Sequence, residues 1–328
     1  MRDSEERENA QQPCRLVSVV IPAANEGRSI GRVIAAVREQ APPGVELEII
    51  VVDDHSKDDT AARAVEAGAR VLRLTGGRGG GNPAAARNLG ARESRGDPIV
   101  FLDADCTPLE GWLEAILRAH DRGEQVVGGA LDLPPGLPLS ARCDYYCGWY
   151  LVHSRAPAGH VPNHPPPNLS VRRAAFFSTS GFTERQPFSY TNEERHWQGE
   201  LRRRGVRIWF EPKAAVYHWN RPGYGNLLRR NYRWAYTAVE AKHVTGSARM
   251  AWLYRWPWLT VALSFPLAFA QAFYILGCWL RARRFEPLLL LPVILLSRLA
   301  YGAGMAAGGF RWLRSRSRGM AQVAPRWQ

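Results

Sequence analysis

The feature that most restricts this chain is a series of four short apolar segments, two of which stop at a pair of acidic residues. Leu16–Ile21 (LVSVVI), Glu48–Val52 (EIIVV), Arg70–Leu74 and Pro98–Leu102 (PIVFL) are rich in β-branched side chains. Between them lie stretches of helical period: Ile30, Val33, Ile34 and Val37 share one face, and 60–67 and 83–93 also read as helices. Near-continuous apolar strands separated by helices predict an α/β fold, a mostly parallel sheet covered on both faces. Ligands of such sheets collect at the carboxyl ends of the strands. Asp53-Asp54 and Asp103-Ala104-Asp105 stand at two of those ends, so topology alone predicts that they share one site.

Two carboxylates at positions i and i+2 of a turn can face a single divalent cation, and hard oxygen ligands suit Mg2+ or Mn2+. An ion held there would neutralise charge on a departing nucleoside diphosphate. Asp53 and Asp54 are acceptors for the imino and hydroxyl donors of a nucleoside, and they also read as a turn leading into Ser56 and Asp58. The glycine run Gly76–Gly81 lacks the Lys-Ser/Thr of a phosphate loop and is expected to form a flexible loop over the site.

Charge divides the chain. Its 328 residues carry a net +13, yet residues 1–201 hold 22 basic and 27 acidic side chains (−5), and residues 202–328 hold 21 and 3 (+18). Such a basic half suits either nucleic acid or an anionic membrane surface. Pro257–Leu280 is a run of 24 residues without charge, and Pro287–Phe310 is another 24 with one, Arg298. Each would reach about 36 Å as a helix, against a hydrocarbon core of roughly 30 Å. Trp252, Trp256, Trp258, Trp279 and Trp312 mark their edges, as at a membrane interface. The expected partner is therefore a membrane and not nucleic acid. Two spanning helices are expected, with a re-entrant or interfacial hairpin as the alternative prompted by Pro266 and Arg298.

The start MRDSEERENA has no apolar core, which predicts that residues 1–250 stay on the cytoplasmic side of the inner (plasma) membrane. Arg249, Arg255, Arg311, Arg314, Arg316 and Arg318 would flank that side, against Arg281, Arg283 and Arg284 on the other. Five cysteines, at 14, 106, 143, 147 and 278, are too few and too scattered for a disulfide scaffold.

The segments VSVVIPAANEGRSI (17–30), IIVVDDHSKDDT (49–60), NPAAARNLGA (82–91) and GDPIVFLDADCTPLEGWL (96–113), in this order, resemble the family 2 inverting glycosyltransferases, which have the Rossmann-like GT-A fold. PNLSVRRAAFFSTSGF (167–182), TNEERHWQGELRRRG (191–205) and IWFEPKAAVYHWNR (208–221) extend the resemblance over roughly 16–220. It implies a charged flexible start over 1–14, a GT-A domain over 15–222, basic and aromatic interfacial helices over 223–256, two membrane helices over 257–310 and a basic tail over 311–328.

The resemblance further implies that Pro22, Ala24, Glu26, Asp53 and Asp54 line the nucleoside pocket, that Arg87 lies near the diphosphate, and that Asp103 and Asp105 match the metal-binding D-x-D, Asp105 more directly. His218 would approach the diphosphate or metal. Glu193-Glu194 takes the place of a Glu-Asp pair whose second member is the base, with a side chain one methylene longer. The implied activity is metal-dependent transfer of a sugar from a nucleoside-diphosphate sugar, UDP favoured, to a lipid-linked or saccharide acceptor. The alternatives are a nucleotidyltransferase, disfavoured by PAANEGRS after the first strand, and a non-catalytic nucleotide-binding scaffold. Arg229, Arg230 and Arg233, interleaved with Tyr232, Trp234 and Tyr236, read either as an interfacial helix or as a phosphate clamp.

Overall fold

The computed structural model describes residues 15–75, 81–185, 188, 191–245, 251–254 and 256–317. The charged start 1–14, glycine-run residues 76–80, the tail from 318, and Arg249, Arg255 and Arg318 lie outside the described residues.

The first half runs β1 (Arg15–Ala23), α1 (Ile30–Glu39), β2 (Val45–Asp53), α2 (Thr60–Glu66), β3 (Arg70–Arg73), α3 (Pro83–Glu93) and β4 (Ile99–Leu102), so each expected strand and helix is present within a few residues. β1 pairs in parallel with β2 and β4, and β2 with β3. Side chains alternate across the pleat. Val19 and Ile21 pack with α1 residues Ile30, Val33, Ile34 and Val37, while Val20 packs with Ile50, Phe101 and the alanines of α3 on the other face.

The chain continues through β5 (Cys106–Pro108), α4 (Trp112–Asp121), β6 (Val126–Asp132), α5 (Leu139–Gly148), β7 (Gly159–Val161), β8 (Asn168–Val171), α6 (Arg173–Phe177), α7 (Glu193–Arg203) and β9 (Ile208–His218). One sheet results, ordered β3-β2-β1-β4-β8-β6-β9-β5, with β7 beside β9. It is mixed: β8 lies antiparallel to both β4 and β6, and β5 and β7 lie antiparallel to β9. A parallel strand needs a crossover that returns the chain to the same end of the sheet. β8 instead follows the loop carrying β7 and enters from the opposite end. The register of β6 on β9 shifts between Gly129 and Ala130, and there the Asn168 amide donates to both Ala130 O (2.9 Å) and Ala214 O (2.8 Å).

Beyond the sheet come α8 (Tyr224–Thr245), α9 (Ala251–Tyr254), α10 (Pro257–Ala262), α11 (Ser264–Arg281), α12 (Glu286–Leu289) and α13 (Leu291–Ser317). The first apolar run is not one helix. It breaks at Leu263, which ends α10 and precedes α11. Pro266 sits in the first turn of α11, where its missing N–H forfeits no intrahelical bond. Among the described residues one helix, over Leu291–Ser315, is long and apolar enough to cross a membrane, and half of its most apolar stretch is buried against the protein.

The largest part of that burial is against α8, with α10 and α11 packing on the same helix. A Cβ added to Gly304 would lie 2.2 Å from the Tyr232 carbonyl oxygen, and one added to Gly308 only 1.9 Å from that of Tyr236, so at these glycines α13 lies directly on the α8 backbone. Arg298, the single charge of the second run, is buried. It donates to Asn231 of α8 and, at 3.2 Å, to Gln271 of α11, with its guanidinium 4.8 Å above the Tyr301 ring. The outer faces expose Trp252, Trp256, Trp258, Phe265, Phe269, Phe273, Phe285 and Leu289.

Candidate active site

The carboxyl ends of β1, β2 and β4 open into a cleft of about 1940 Å3 that continues past β9 and α8 to the carboxy-terminal helices. Of the eleven residues singled out from the sequence, ten line it: Pro22, Ala24, Glu26, Asp54, Arg87, Asp103, Asp105, Glu193, Glu194 and His218. Asp53 does not. Its Oδ1 accepts from the Ser56 amide (3.2 Å), which is the turn role. Adjacent residues at a strand end point to opposite sides, so the pair divides its work.

Asp54 organises the cleft from below, accepting from the backbone amides of Gly81 (3.0 Å) and Asn82 (2.7 Å) at the start of α3. The loop after β1 is tied to the loop after β2. Asn25 N donates to Ser56 Oγ (2.9 Å), Asn25 Oδ1 accepts from Lys57 N (2.8 Å), Glu26 N donates to Thr60 Oγ1 (2.8 Å) and Gly27 N to Asp58 Oδ2 (3.0 Å). Asn25 holds a left-handed φ of 57° within this lattice. Glu26 pairs with Arg221, and burial, followed by the nearby Asp105 charge, raises its pKa.

Arg87 is the centre of the site. Buried on α3, it donates through Nη2 to Asp103 Oδ1 (2.6 Å) and through Nη1 to Glu193 Oε1 (2.8 Å), so it joins the acidic turn after β4 to the first turn of α7. One cation between two acids offsets the cost of burying either. Glu194 is bound less directly, its nearest cation being Arg195 at 3.9 Å. Burial pushes the pKa of both glutamates upward, and at Glu193 the Arg87 charge opposes the rise.

Antiparallel pairing of β5 with β9 sets Cys106 opposite His218, and this places His218 Nε2 3.8 Å from Asp105 Oδ1. The imidazole is oriented from behind: Nδ1 meets Asn220 Oδ1 at 2.9 Å, and the Asn220 amide donates to Asp144 Oδ2 at 2.9 Å. A ring nitrogen fixed in this way leaves the other aimed at the acidic turn, the usual support of a metal-binding histidine. The carboxylates of Asp103 and Asp105 are about a quarter exposed (25% and 26%), whereas Glu193 is 6% exposed, so the turn is open to the cleft. Asp105, Cys106 and His218 bring donor atoms within 4.8 Å of one another. Burial raises the Cys106 thiol pKa well above its ordinary value, and a soft sulfur suits Mg2+ or Mn2+ less well than oxygen and nitrogen donors. The remaining oxygen and nitrogen donors fit a divalent cation.

Sequence reasoning missed the Asn220–Asp144 support, whose partners are far apart in the chain. It also missed Trp149, whose ring lies 4.9 Å from that of His218 and 5.6 Å from that of Trp234.

Residues 18–176 match the family model described as glycosyl transferase family 2. The chain is 28% identical over 222 residues to glycosyltransferase AglE of Haloferax volcanii, covering 66% of this chain and 71% of that one. It is 28% identical over 264 residues to the pre-mycofactocin glycosyltransferase of Mycobacterium tuberculosis, covering 73% of this chain but only 52% of the relative, so it spans about half of that protein. Among solved structures, the mannosyltransferase PcManGT from Pyrobaculum calidifontis, in complex with GDP-Man and Mn2+, superposes with a TM-score of 0.58 at 20% identity over 93% of this chain and 88% of that one. That likeness speaks for the fold. Residues 18–176, carried on a mixed α/β sheet of the GT-A kind, thus form a glycosyl transferase family 2 domain.

Proposed function

We propose that this enzyme is a membrane-attached inverting glycosyltransferase that moves a sugar from a nucleoside-diphosphate donor, UDP-linked by preference, to a lipid-linked or saccharide acceptor. The observation that carries this reading is the line of side chains Asp105, Asp103, Arg87, Glu193 and Glu194 along one cleft, a cation-binding turn joined to a pair of candidate bases by one arginine.

Pro22, Ala24, Glu26 and Asp54 receive the nucleoside end. Asp105 and His218, with Asp103 behind them, would hold Mg2+ or Mn2+, which when bound supplies positive charge to the leaving diphosphate. Glu194 takes the proton of the acceptor hydroxyl as that oxygen attacks the anomeric carbon from the face opposite the diphosphate, whose bond to the sugar breaks. Glu193 is the weaker candidate because its Oε1 is already committed to Arg87. The exposed tryptophans and phenylalanines of α9 to α12, the apolar α13 and the arginines around them support attachment to the inner (plasma) membrane, with the cleft on the cytoplasmic side.

The test is donor turnover by the purified full chain against a panel of UDP- and GDP-sugars, with and without Mn2+. Nucleoside diphosphate is expected from one donor, lost on chelation and lowered on the order of 1000-fold in Asp105→Ala. Release of pyrophosphate from a nucleoside triphosphate plus a sugar phosphate would overturn the reading.

A further inference from the structure

The cleft does not end at the glutamates. Its deep arm passes Trp149 and Trp234 and closes between α8, α9, α11 and α13, where Lys242, Tyr254, Gln271, Arg298 and Tyr301 line the wall. This arm holds two inward-facing cations. Arg298 is 2% exposed, and its hydrogen-bond partners among the described residues are neutral: Asn231, Gln271 and, at 3.3 Å, Ser297. Lys242 Nζ donates to the Tyr254 hydroxyl at 3.0 Å and lies 4.8 Å from that ring's centre. Among the described residues neither has a carboxylate at ion-pair distance. Glu240, two positions before Lys242, is taken by Arg185 and Arg311.

Burying Arg298 without an acid is costly, half-burying Lys242 costs less, and apolar neighbours such as Leu267, Ala270 and Met305 on the same wall deepen the cost. The arm is also continuous with the reaction centre. Arg195 follows Glu194 directly and lines the same cleft as Lys242.

We propose that Lys242 and Arg298 form an anion subsite for the acceptor, which is an amphiphile with a phosphate or carboxylate head. The head sits on the two cations and exchanges their uncompensated charge for charge-assisted hydrogen bonds. The apolar tail runs along the α11 and α13 wall toward the surface that exposes Phe265, Phe269 and Phe273. This deepens the glycosyltransferase reading by choosing the lipid-borne acceptor and naming what recognises it.

The experiment measures binding of decyl phosphate, decanoate, decanol and inorganic phosphate to the full chain in neutral detergent, in the absence of donor. Decyl phosphate and decanoate are expected to bind at least tenfold more tightly than decanol and than inorganic phosphate. Lys242→Met, which keeps the apolar stem, is expected to weaken decyl phosphate about tenfold or more, with Lys242→Arg restoring it. Arg298→Gln, checked for folding by circular dichroism, is expected to weaken it likewise. Equal binding of decanol would reduce the arm to an apolar groove. Equal binding of inorganic phosphate would make it a soluble-anion site, and undiminished binding in Lys242→Met would remove the lysine; each outcome overturns the proposal. Donor turnover by the unmodified enzyme is read separately, so a failed subsite and a failed glycosyltransferase reading are told apart.

Discussion

The two ends of the cleft handle charge in opposite ways. At the donor end nearly every charged group is answered within the protein: Arg87 by Asp103 and Glu193, Glu26 by Arg221, Asp54 by two backbone amides. At the deep end Lys242 and Arg298 are held only by neutral groups among the described residues. A closed set of ion pairs fixes geometry before any substrate arrives, and preorganisation of this kind is what a reacting centre needs. An open set leaves attraction unspent until a ligand supplies the missing charge. One end is therefore built to position and the other to capture.

The sharpest challenge to this contrast is Glu194→Gln, which removes the proposed proton acceptor without touching the Arg87 pairs. Transfer to an acceptor hydroxyl is expected to fall about 100- to 10,000-fold. Because burial raises the glutamate's pKa and a base works only when ionised, kcat/KM of the unaltered enzyme should climb with pH and fall on acidification before the ordinary carboxylate value of about 4.3 is reached. A pH profile flat down to that value would shift the role away from this carboxyl.

Arg87→Ala asks whether the donor end is as closed as it looks. Two acids would lose their shared cation, one of them deeply buried, and unfolding should become easier by about 3–5 kcal/mol in denaturant titration. A cost below about 1 kcal/mol would mean that water already serves those carboxylates.

The mildest effect is expected at the seam between the halves. Gly308→Ala places a methyl group against the Tyr236 carbonyl and should cost about 1–3 kcal/mol by prising α13 from α8. Thermal unfolding of the detergent-solubilised protein would report it, and an unchanged midpoint would show that the helices are not held at that contact.

Much of this was legible in the chain. Four strands and the α1 face could be read from periodicity because each depends on neighbours a few residues away. The acidic turn at Asp103–Asp105 was placed by its position after a buried strand, and His218 by the family resemblance of segment 208–221. What stayed hidden depends on partners far apart. The antiparallel entry of β8 follows from the route of the chain before it, not from its own four residues. The break at Leu263 was masked because hydropathy does not register a helix restart, although Pro266 gave a hint. Arg298 read as a blemish in an apolar run, since its partners Asn231 and Gln271 lie on other helices. The split between Asp53 and Asp54 needed the actual direction of each side chain.

The glycine contact between α13 and α8 has a mechanical meaning. Two helices whose backbones touch move as one piece, and α8 lines the cleft through its arginines. On the proposed membrane attachment, the enzyme is then no domain swinging on a leash. Its working height above the bilayer is set by about the thickness of one helix, roughly 10 Å. A substrate must be presented within that narrow stratum, so the lateral diffusion of lipids, more than the reach of the protein, would govern how often the two meet.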